Sequence, residues 1–430
     1  MRIWIVFCAI SIGLQSATLE LSLQNAEQLA LQTSDRLKAT EIDIDVVKEQ
    51  ENAGFSGLFP KLSLQGNYTY LSTLPSLAIG PPGTQKVTFG DHNNYSVGPT
   101  LNYTLWDTFA SIKNFQALEK LKEAKKQDYA ATKLQILFAT RFAYIRVQLA
   151  LEELHLVTAS LELARSQQHD VQNRFKAGAG TQLDKLISNR QVLGFELQLK
   201  QKNAELALFS KDLTALLAIN SLEDRKLEPL QITLAHLKSI ELSAPTKEQP
   251  QIKSLRLMTE SLTSSASAQT AKLFPTVQLF ASSTLAYPNG PVLNQINQNT
   301  IGLTLSIPLY IGDPTWHLAA SKRREALAAK HRALQLQTDI NRDFEKAHDM
   351  LSSLDEQKQL ATEDVLKSAE VAQLYYSSYK AGRSNLTDVQ SANNQALQSK
   401  VNAARIDAQI LNQLVSLMAL SGKEVSHENP

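Results

Sequence analysis

The sequence is short of the residues that staple, punctuate or strongly charge a protein. Cys8 is its only cysteine, so a disulfide framework or a thiolate metal site is excluded. Aromatic residues make up 7% of the chain, and 430 residues contain only 16 glycines and 14 prolines. That is too little turn chemistry for a compact all-β protein and favours long helices. Neither sign of charge prevails: 43 basic residues face 42 acidic ones, for a net charge of +1. This balance leaves no electrostatic footprint for nucleic acid. Past the N-terminus there is no stretch of 18 apolar residues, so no transmembrane helix is expected. The histidines at 92, 155, 169, 236, 317, 331, 348 and 427 are scattered, without the His-Glu-x-x-His spacing of a zinc enzyme. His155 and His169 would stand about 21 Å apart on a helix, too far to share a metal. Phosphate-binding and nucleophile-elbow motifs are also missing. No catalytic centre, cofactor or metal is expected.

What is present begins with an export signal. Arg2 precedes an apolar run from Ile3 to Leu14, followed by the small residues Ser16 and Ala17. A run of that length is too short to anchor a chain and matches a secretory signal over residues 1–17. Cys8 leaves with it. An exported chain without a transmembrane helix is periplasmic, secreted, or held in an outer membrane by β-strands.

The main organisational feature is a duplication. Asn173 to Leu193 reads NRFKAGAGTQLDKLISNRQVL, and Ser377 to Leu397 reads SSYKAGRSNLTDVQSANNQAL. A constant shift of 204 pairs Phe175 with Tyr379, Lys176 with Lys380, Gly178 with Gly382, and Asp184 with Asp388. Upstream, Leu58-Phe59-Pro60 recurs as Leu273-Phe274-Pro275, shifted by 215. The first half therefore carries about eleven extra residues between its landmarks, assigned to the polar, Pro/Gly-rich loop from Ser72 to Asn94.

Each Phe-Pro pair opens a stretch of period two. Leu62, Leu64, Tyr68 and Tyr70 alternate with Ser63, Gln65, Asn67 and Thr69; Val97, Pro99, Leu101, Tyr103 and Leu105 alternate with small polar residues. The second half repeats the pattern with Val277, Leu279 and Leu285, then with Ile301, Leu303, Leu305, Ile307 and Leu309. None of the four runs contains a charge, and each has about the ten residues that a tilted strand needs to cross a bilayer. Phe59, Trp106, Phe274 and Tyr310 mark one edge of these runs, where membrane-interface aromatics are expected. Four strands cannot close a barrel, so several chains must contribute.

Asp107 to Lys176 and Thr315 to Lys380 contain neither proline nor glycine, and each predicts a helix of about 100 Å. Ile340, Phe344, Ala347, Leu351 and Leu354 step by four and three, as do Leu397, Val401, Ala404, Ala408, Leu411, Val415 and Met418. That spacing predicts helices packed along coiled-coil seams. Shorter helices are expected at Ser22–Ala53, Asp184–Ala218, Gln251–Lys272 and Leu386–Leu420, with the charged residues of all helices read as solvated faces. Gly178 and Gly382 become tight turns between a long and a short helix. Asp184 and Asp388 fall where carboxylates favour a helix start. The expected organisation places a first repeat over residues 18–219, with strands near 61–71 and 95–106, a long helix over 107–176 and a helix over 184–218. An irregular segment follows at 220–250. The second repeat covers 251–420, with strands near 276–287 and 300–310, a long helix over 315–380 and a helix over 386–420; a tail occupies 421–430.

With its two Lys-Ala-Gly turns, each followed six residues later by Asp, and its two Phe-Pro strand starts, the chain resembles the TolC-type outer-membrane efflux proteins. The resemblance covers essentially the whole mature chain. It implies a mixed α and transmembrane-β fold: a homotrimer in which each chain gives four strands to one twelve-stranded β-barrel, continued by a periplasmic coiled-coil helical barrel. It implies an exit duct for efflux or type I secretion, set in outer-membrane lipid and partnered by a periplasmic adaptor protein and an inner-membrane transporter. It also implies a gate at the periplasmic tip. By position, Tyr379 and Asp184 match a pair that links the two helical hairpins, and Asp388 matches the first of two acidic residues ringing the entrance. The chain departs from the pattern at the second, which is Ser391, and at a latch arginine, which is Ser384 with Arg383 beside it. The competing classes are a non-catalytic coiled-coil envelope scaffold or adhesin, which leaves the uncharged strands unexplained, and a diffusion porin, which needs more strands and no such helices.

Overall fold

The computed structural model describes residues 19–78, 80, 86–222, 225–230, 233–234, 244–245, 248–309 and 314–422. The expected signal segment with Cys8, the interface aromatic Tyr310, and the tail beyond Gly422 lie outside the described residues. The chain divides into two compact units. One comprises Thr40–Tyr129 and Pro250–Leu336; the other holds the described residues before Thr40, between Tyr129 and Pro250, and after Leu336.

The first unit carries an antiparallel sheet of β2 (Lys61–Tyr70), β5 (Asn93–Trp106), β7 (Thr276–Tyr287) and β8 (Ile296–Ser306), in the order β2-β5-β7-β8. Its register places Leu62 opposite Leu101, Tyr95 opposite Tyr287, and Leu279 opposite Leu303. One apolar face therefore runs across all four strands, because partners in a ladder share a face. That face is open: Leu62, Leu64 and Ile301 are 74%, 75% and 76% exposed. The opposite face presents the hydroxyls and amides of Ser63, Gln65, Asn67, Thr100, Gln278 and Thr304, with Lys61 at the start of β2 as its one charge. Among the described residues, the outer edges of β2 and β8 have no partner strand.

Two differences from the alternation pattern follow from backbone pairing. β8 starts at Ile296 rather than near 300, because Asn297, Gln298 and Asn299 continue the ladder opposite Leu285, Thr284 and Ser283. Their polarity hides them from a search for apolar alternation. The loop from Ser72 to Asn94 contains a short antiparallel ribbon, β3 (Ser76–Ala78) with β4 (Lys86–Thr88). Below the sheet this unit holds α2 (Asp35–Ser56, from Thr40 onward) and the start of α3 (Ala110–Lys176). It also contains α5 (Pro250–Ala271) and the start of α6 (Thr315–Lys380). Lys122 reaches Glu51 at 2.5 Å, and Ser254 donates to Asp128 at 2.5 Å, tying these helices side by side.

The second unit is helical. It contains α1 (Leu23–Thr33), the remainder of α3 and α6, α4 (Gln182–Leu217) and α7 (Leu386–Ser421). The expected helix Ser22–Ala53 is broken, because Ser34 leaves helical geometry and its hydroxyl caps Leu37 of α2 at 3.3 Å. Ile340, Ala347, Leu354, Val401, Ala408, Leu411, Val415 and Met418 are all buried, so the four-three steps lie on packing seams. The irregular segment contributes β6 (Arg225–Leu227), which pairs in parallel with β1 (Leu19–Leu21). Tyr144, fully buried, locks that pair: its hydroxyl donates to the Leu21 carbonyl at 2.7 Å and accepts from the Glu228 amide at 3.1 Å.

Not every charge on the helices is a solvated face. Arg141 and Glu27 are 2% and 4% exposed and pair at 2.6 Å. Glu153 is buried against Lys202 at 2.5 Å and Arg405 at 2.7 Å. These groups occupy positions facing neighbouring helices, so the low dielectric forces them to pair.

Candidate functional site

The two helical hairpins, α3-α4 and α6-α7, end in the turns that carry the duplicated motif. Both turns are built alike. In the first, the amides of Ala177, Gly178 and Ala179 donate to Asn173, Phe175 and Arg174; in the second, Ala381, Gly382 and Arg383 donate to Ser377, Tyr379 and Ser378. The shift of 204 holds bond for bond. Gly178 and Gly382 take φ of +72° and +73°, the left-handed conformation that ends a helix.

The helices that follow start on side-chain caps. Thr181 accepts from the Asp184 amide at 3.1 Å, and the Asp184 carboxylate returns to the Thr181 amide at 3.1 Å and hydroxyl at 2.7 Å. This is a closed capping box. Asn385 caps the Asp388 amide at 2.8 Å, while among the described residues the Asp388 carboxylate has no hydrogen bond or ion pair. The two equivalent aspartates thus differ, one spent on its own turn and the other free.

Between the hairpins lies a small apolar core of Val171, Tyr379, Leu386 and Val389, flanked by Ile187 and Tyr376. Tyr379 is 7% exposed. Burial raises the pKa of its phenol, and the nearby Asp184 carboxylate adds to the rise. No hydrogen bond joins the two; the structure brings Tyr379 and Asp184 near one another but engages Asp184 with Thr181 instead. The bond across the hairpins comes from Tyr376, whose hydroxyl donates to the Asp170 carboxylate. Burial, then that acceptor, holds the Tyr376 phenol well above its usual range. Lys380 stands 3.6 Å from Asp170 and over the Tyr376 ring at 4.4 Å. Arg174 lies over the Tyr379 ring at 5.1 Å and donates to the Lys380 carbonyl at 3.0 Å. Farther along, amides connect the helices: Gln191 to Asn394 at 2.8 Å and Gln390 to the Ile187 carbonyl at 3.1 Å.

The remaining expected residues sit apart from this core. Arg383 and Ser391 are exposed, and the Ser384 hydroxyl turns back to the Tyr375 carbonyl at 3.2 Å. Sequence reading missed Tyr376 and Asp170. Their signal was available only in part: Tyr376 lies one helical turn before Tyr379, on the same face. In the other unit, Phe59, Trp106 and Phe274 are 53%, 45% and 50% exposed at the ends of their strands.

Paired helical hairpins with duplicated turns, joined in sequence to a four-stranded sheet that has an open apolar face and Lys61 as the one charge in its strands, define a chain of the membrane-duct class. Comparison with family models is consistent with this: the model for outer membrane efflux proteins matches residues 26–218 and 243–423, and the chain belongs to that family. Both halves of the duplication lie in matched segments. The fold is shared with solved structures at low identity. CusC is 14% identical, with a TM-score of 0.79 over 93% of this chain and 92% of that one. The Campylobacter jejuni CmeC outer membrane channel is 17% identical, with a TM-score of 0.75 over 93% and 85%. The outer membrane protein VceC from Vibrio cholerae is 14% identical, with a TM-score of 0.75 over 93% and 96%. No curated protein sequence matches the chain.

Proposed function

We propose that three copies of this chain close one twelve-stranded barrel in the outer membrane and form the exit duct of a tripartite efflux or type I secretion system. The observation that carries this reading is the sheet: four antiparallel strands without charge along their alternating runs, an apolar face open to its surroundings, and two unpaired edges. An open apolar face of this size is unstable in water and stable against lipid. Unpaired edges that face opposite ways are satisfied when β8 of one copy meets β2 of the next, a head-to-tail contact that closes after a fixed number of copies. Three copies give twelve strands.

In this reading the helices extend into the periplasm and the hairpin turns form its tip, where a periplasmic adaptor and an inner-membrane transporter engage. The core around Tyr379, with the Tyr376–Asp170 bond and the Arg174 and Lys380 contacts, holds each chain's hairpins together and so holds the tip shut. Asp388, with its free carboxylate, is the better candidate than Asp184 for a ring of negative charge at the entrance, where it favours cations. Arg383, Ser384 and Ser391 sit on the same turns and tune that entrance.

The test is the protein mass of the detergent-purified chain by light scattering corrected for bound detergent. Three chains per particle are expected. A stable, folded monomer refutes the duct, because its four strands cannot close.

A further inference from the structure

The helices adjoining the two open edge strands carry opposite charge. Ahead of β2, residues 40–56 of α2 hold five carboxylates and one lysine; behind β8, residues 315–336 at the start of α6 hold five cations and one glutamate. The chain as a whole is balanced at +1, so this separation is local. It is only partly neutralised inside the chain, where Lys125 and Lys122 meet Asp43 and Glu51, and Glu325 meets Lys322. On α2, Glu41, Asp45 and Glu49 are exposed, and Glu49 is met only by the Asn52 amide at 3.4 Å. On α6, Arg324, Lys330 and Arg332 are exposed, and among the described residues they make no ion pair. The corresponding start of α3 behaves differently: Lys120, Lys122, Lys125 and Lys126 all pair with carboxylates.

We infer that the acidic face of α2 in one copy docks on the basic face of α6 in the next copy, so that a charged seam extends each inter-chain strand joint. The inference rests on the closed-barrel reading above. If β8 of one copy lies beside β2 of its neighbour, then α6, which continues from β8, lies beside the neighbour's α2, which leads into β2. The depths agree. Counting 1.5 Å per residue from the end of each helix nearest the sheet, Glu49 lies about 10 Å away and Arg324 about 13 Å; Glu41 and Lys330 both lie about 22 Å away. Between these levels the exposed Ile42 and Val46 bracket the level of the exposed Leu327. Apolar contact thus falls beside the charged rung of Glu49 and Arg324, with Lys330 reaching the deeper level from the border of the buried face. On α2 the buried Val47 lies on the side opposite Asp45 and Glu49; on α6 Arg324 lies opposite the buried Ala319, Ala326 and Ala333, Leu327 lies about a quarter turn from them, and Lys330, four residues after Ala326, borders their face. The partner this surface fits is a second copy of the same chain, in one orientation only.

Charge reversal tests the assignment in the purified full chain. Arg324→Glu and Glu49→Lys are each expected to weaken the trimer about tenfold at low salt, because one exposed pair is lost at each of three seams and replaced by repulsion. Combining them in one chain is expected to restore assembly, since every copy supplies both faces. The deficit of each single variant should shrink in 1 M salt. As a second readout, Asp45→Cys with Leu327→Cys under oxidant should yield covalent dimers and trimers in denaturing gels, which neither single variant gives. A wild-type monomer sinks the barrel reading itself. A wild-type trimer whose double reversal is as weak as the two single variants together, or whose paired cysteines never join two chains, overturns the seam and leaves the barrel standing.

Discussion

Tyr376→Phe removes one hydroxyl from the contact that joins the two hairpins of a chain, and its effect can be worked from the surroundings. The hydroxyl donates to a carboxylate, so the bond is charge-assisted. Bonds of this kind contribute about 1.5–3 kcal/mol net. The low end applies here, because the Asp170 side chain is 43% exposed and keeps Lys380 at 3.6 Å, so it is not stranded when the phenol goes. A loss of about 1.5 kcal/mol changes the closed-to-open ratio of one hairpin pair about tenfold. The apolar core of Val171, Tyr379, Leu386 and Val389 is untouched, so the fold should survive and melting should shift only slightly. The assay is single-channel recording in planar bilayers: Tyr376→Phe should open more often than wild type, and Asp170→Asn should behave similarly. If both variants stay as firmly closed as wild type while Tyr379→Ala opens, the apolar core alone closes the tip and the hydrogen-bond reasoning is wrong.

Three further outcomes are expected. Gly382→Ala places a Cβ in open space but at φ +73°, so it should cost about 1–2 kcal/mol through backbone strain alone, measured by chemical denaturation; Gly178→Ala should cost as much. Arg141→Ala strands the buried Glu27 and should destabilise the helical unit by about 3–5 kcal/mol, whereas Arg141→Met combined with Glu27→Leu should be close to neutral; equal losses in both would deny that the pair is truly desolvated. Burial opposes ionisation of Glu153, yet the hydrogen bonds from Arg405 and Lys202 outweigh it and hold its pKa below the usual value. A depressed carboxylate contributes stability above its unfolded pKa and loses it as pH falls through the folded one. Melting scans should therefore show a decline below about pH 4.5, and Glu153→Gln should flatten that part of the curve.

The sheet and the hairpin turns were legible because each advertises itself locally. Alternation from Leu62 to Tyr70 or from Ile301 to Leu305 needs no knowledge of the partner strand, and a lysine-alanine-glycine turn repeated at a fixed shift declares its conformation. What stayed hidden depends on a second segment. Three-residue strands such as Leu19–Leu21 have no period to detect, and their pairing with Arg225–Leu227 is visible only in space. Glu27 and Arg141 read as surface charge because the faces of α1 and α3 that carry them are mixed, and only packing shows that both point inward. Tyr376 and Asp170 lie on different long helices, and their meeting depends on the axial register between those helices. No residue of either helix encodes that register alone. The resemblance drew the eye to Tyr379 and Asp184, which the structure brings near without joining.

The unpaired edges of β2 and β8 also govern the life of the chain before assembly. Among the described residues, a lone copy presents two rows of free backbone donors and acceptors beside an uncovered apolar face, the features that make a strand stick to the first other strand it meets. Productive joining requires encounters among identical copies and slows steeply as the chain becomes scarce, whereas pairing with an unrelated strand does not. Yield is then decided by a race. On the exit-duct reading, the share of chain lost to unrelated strands should therefore be greatest at low expression and should fall as copies become abundant enough to find one another.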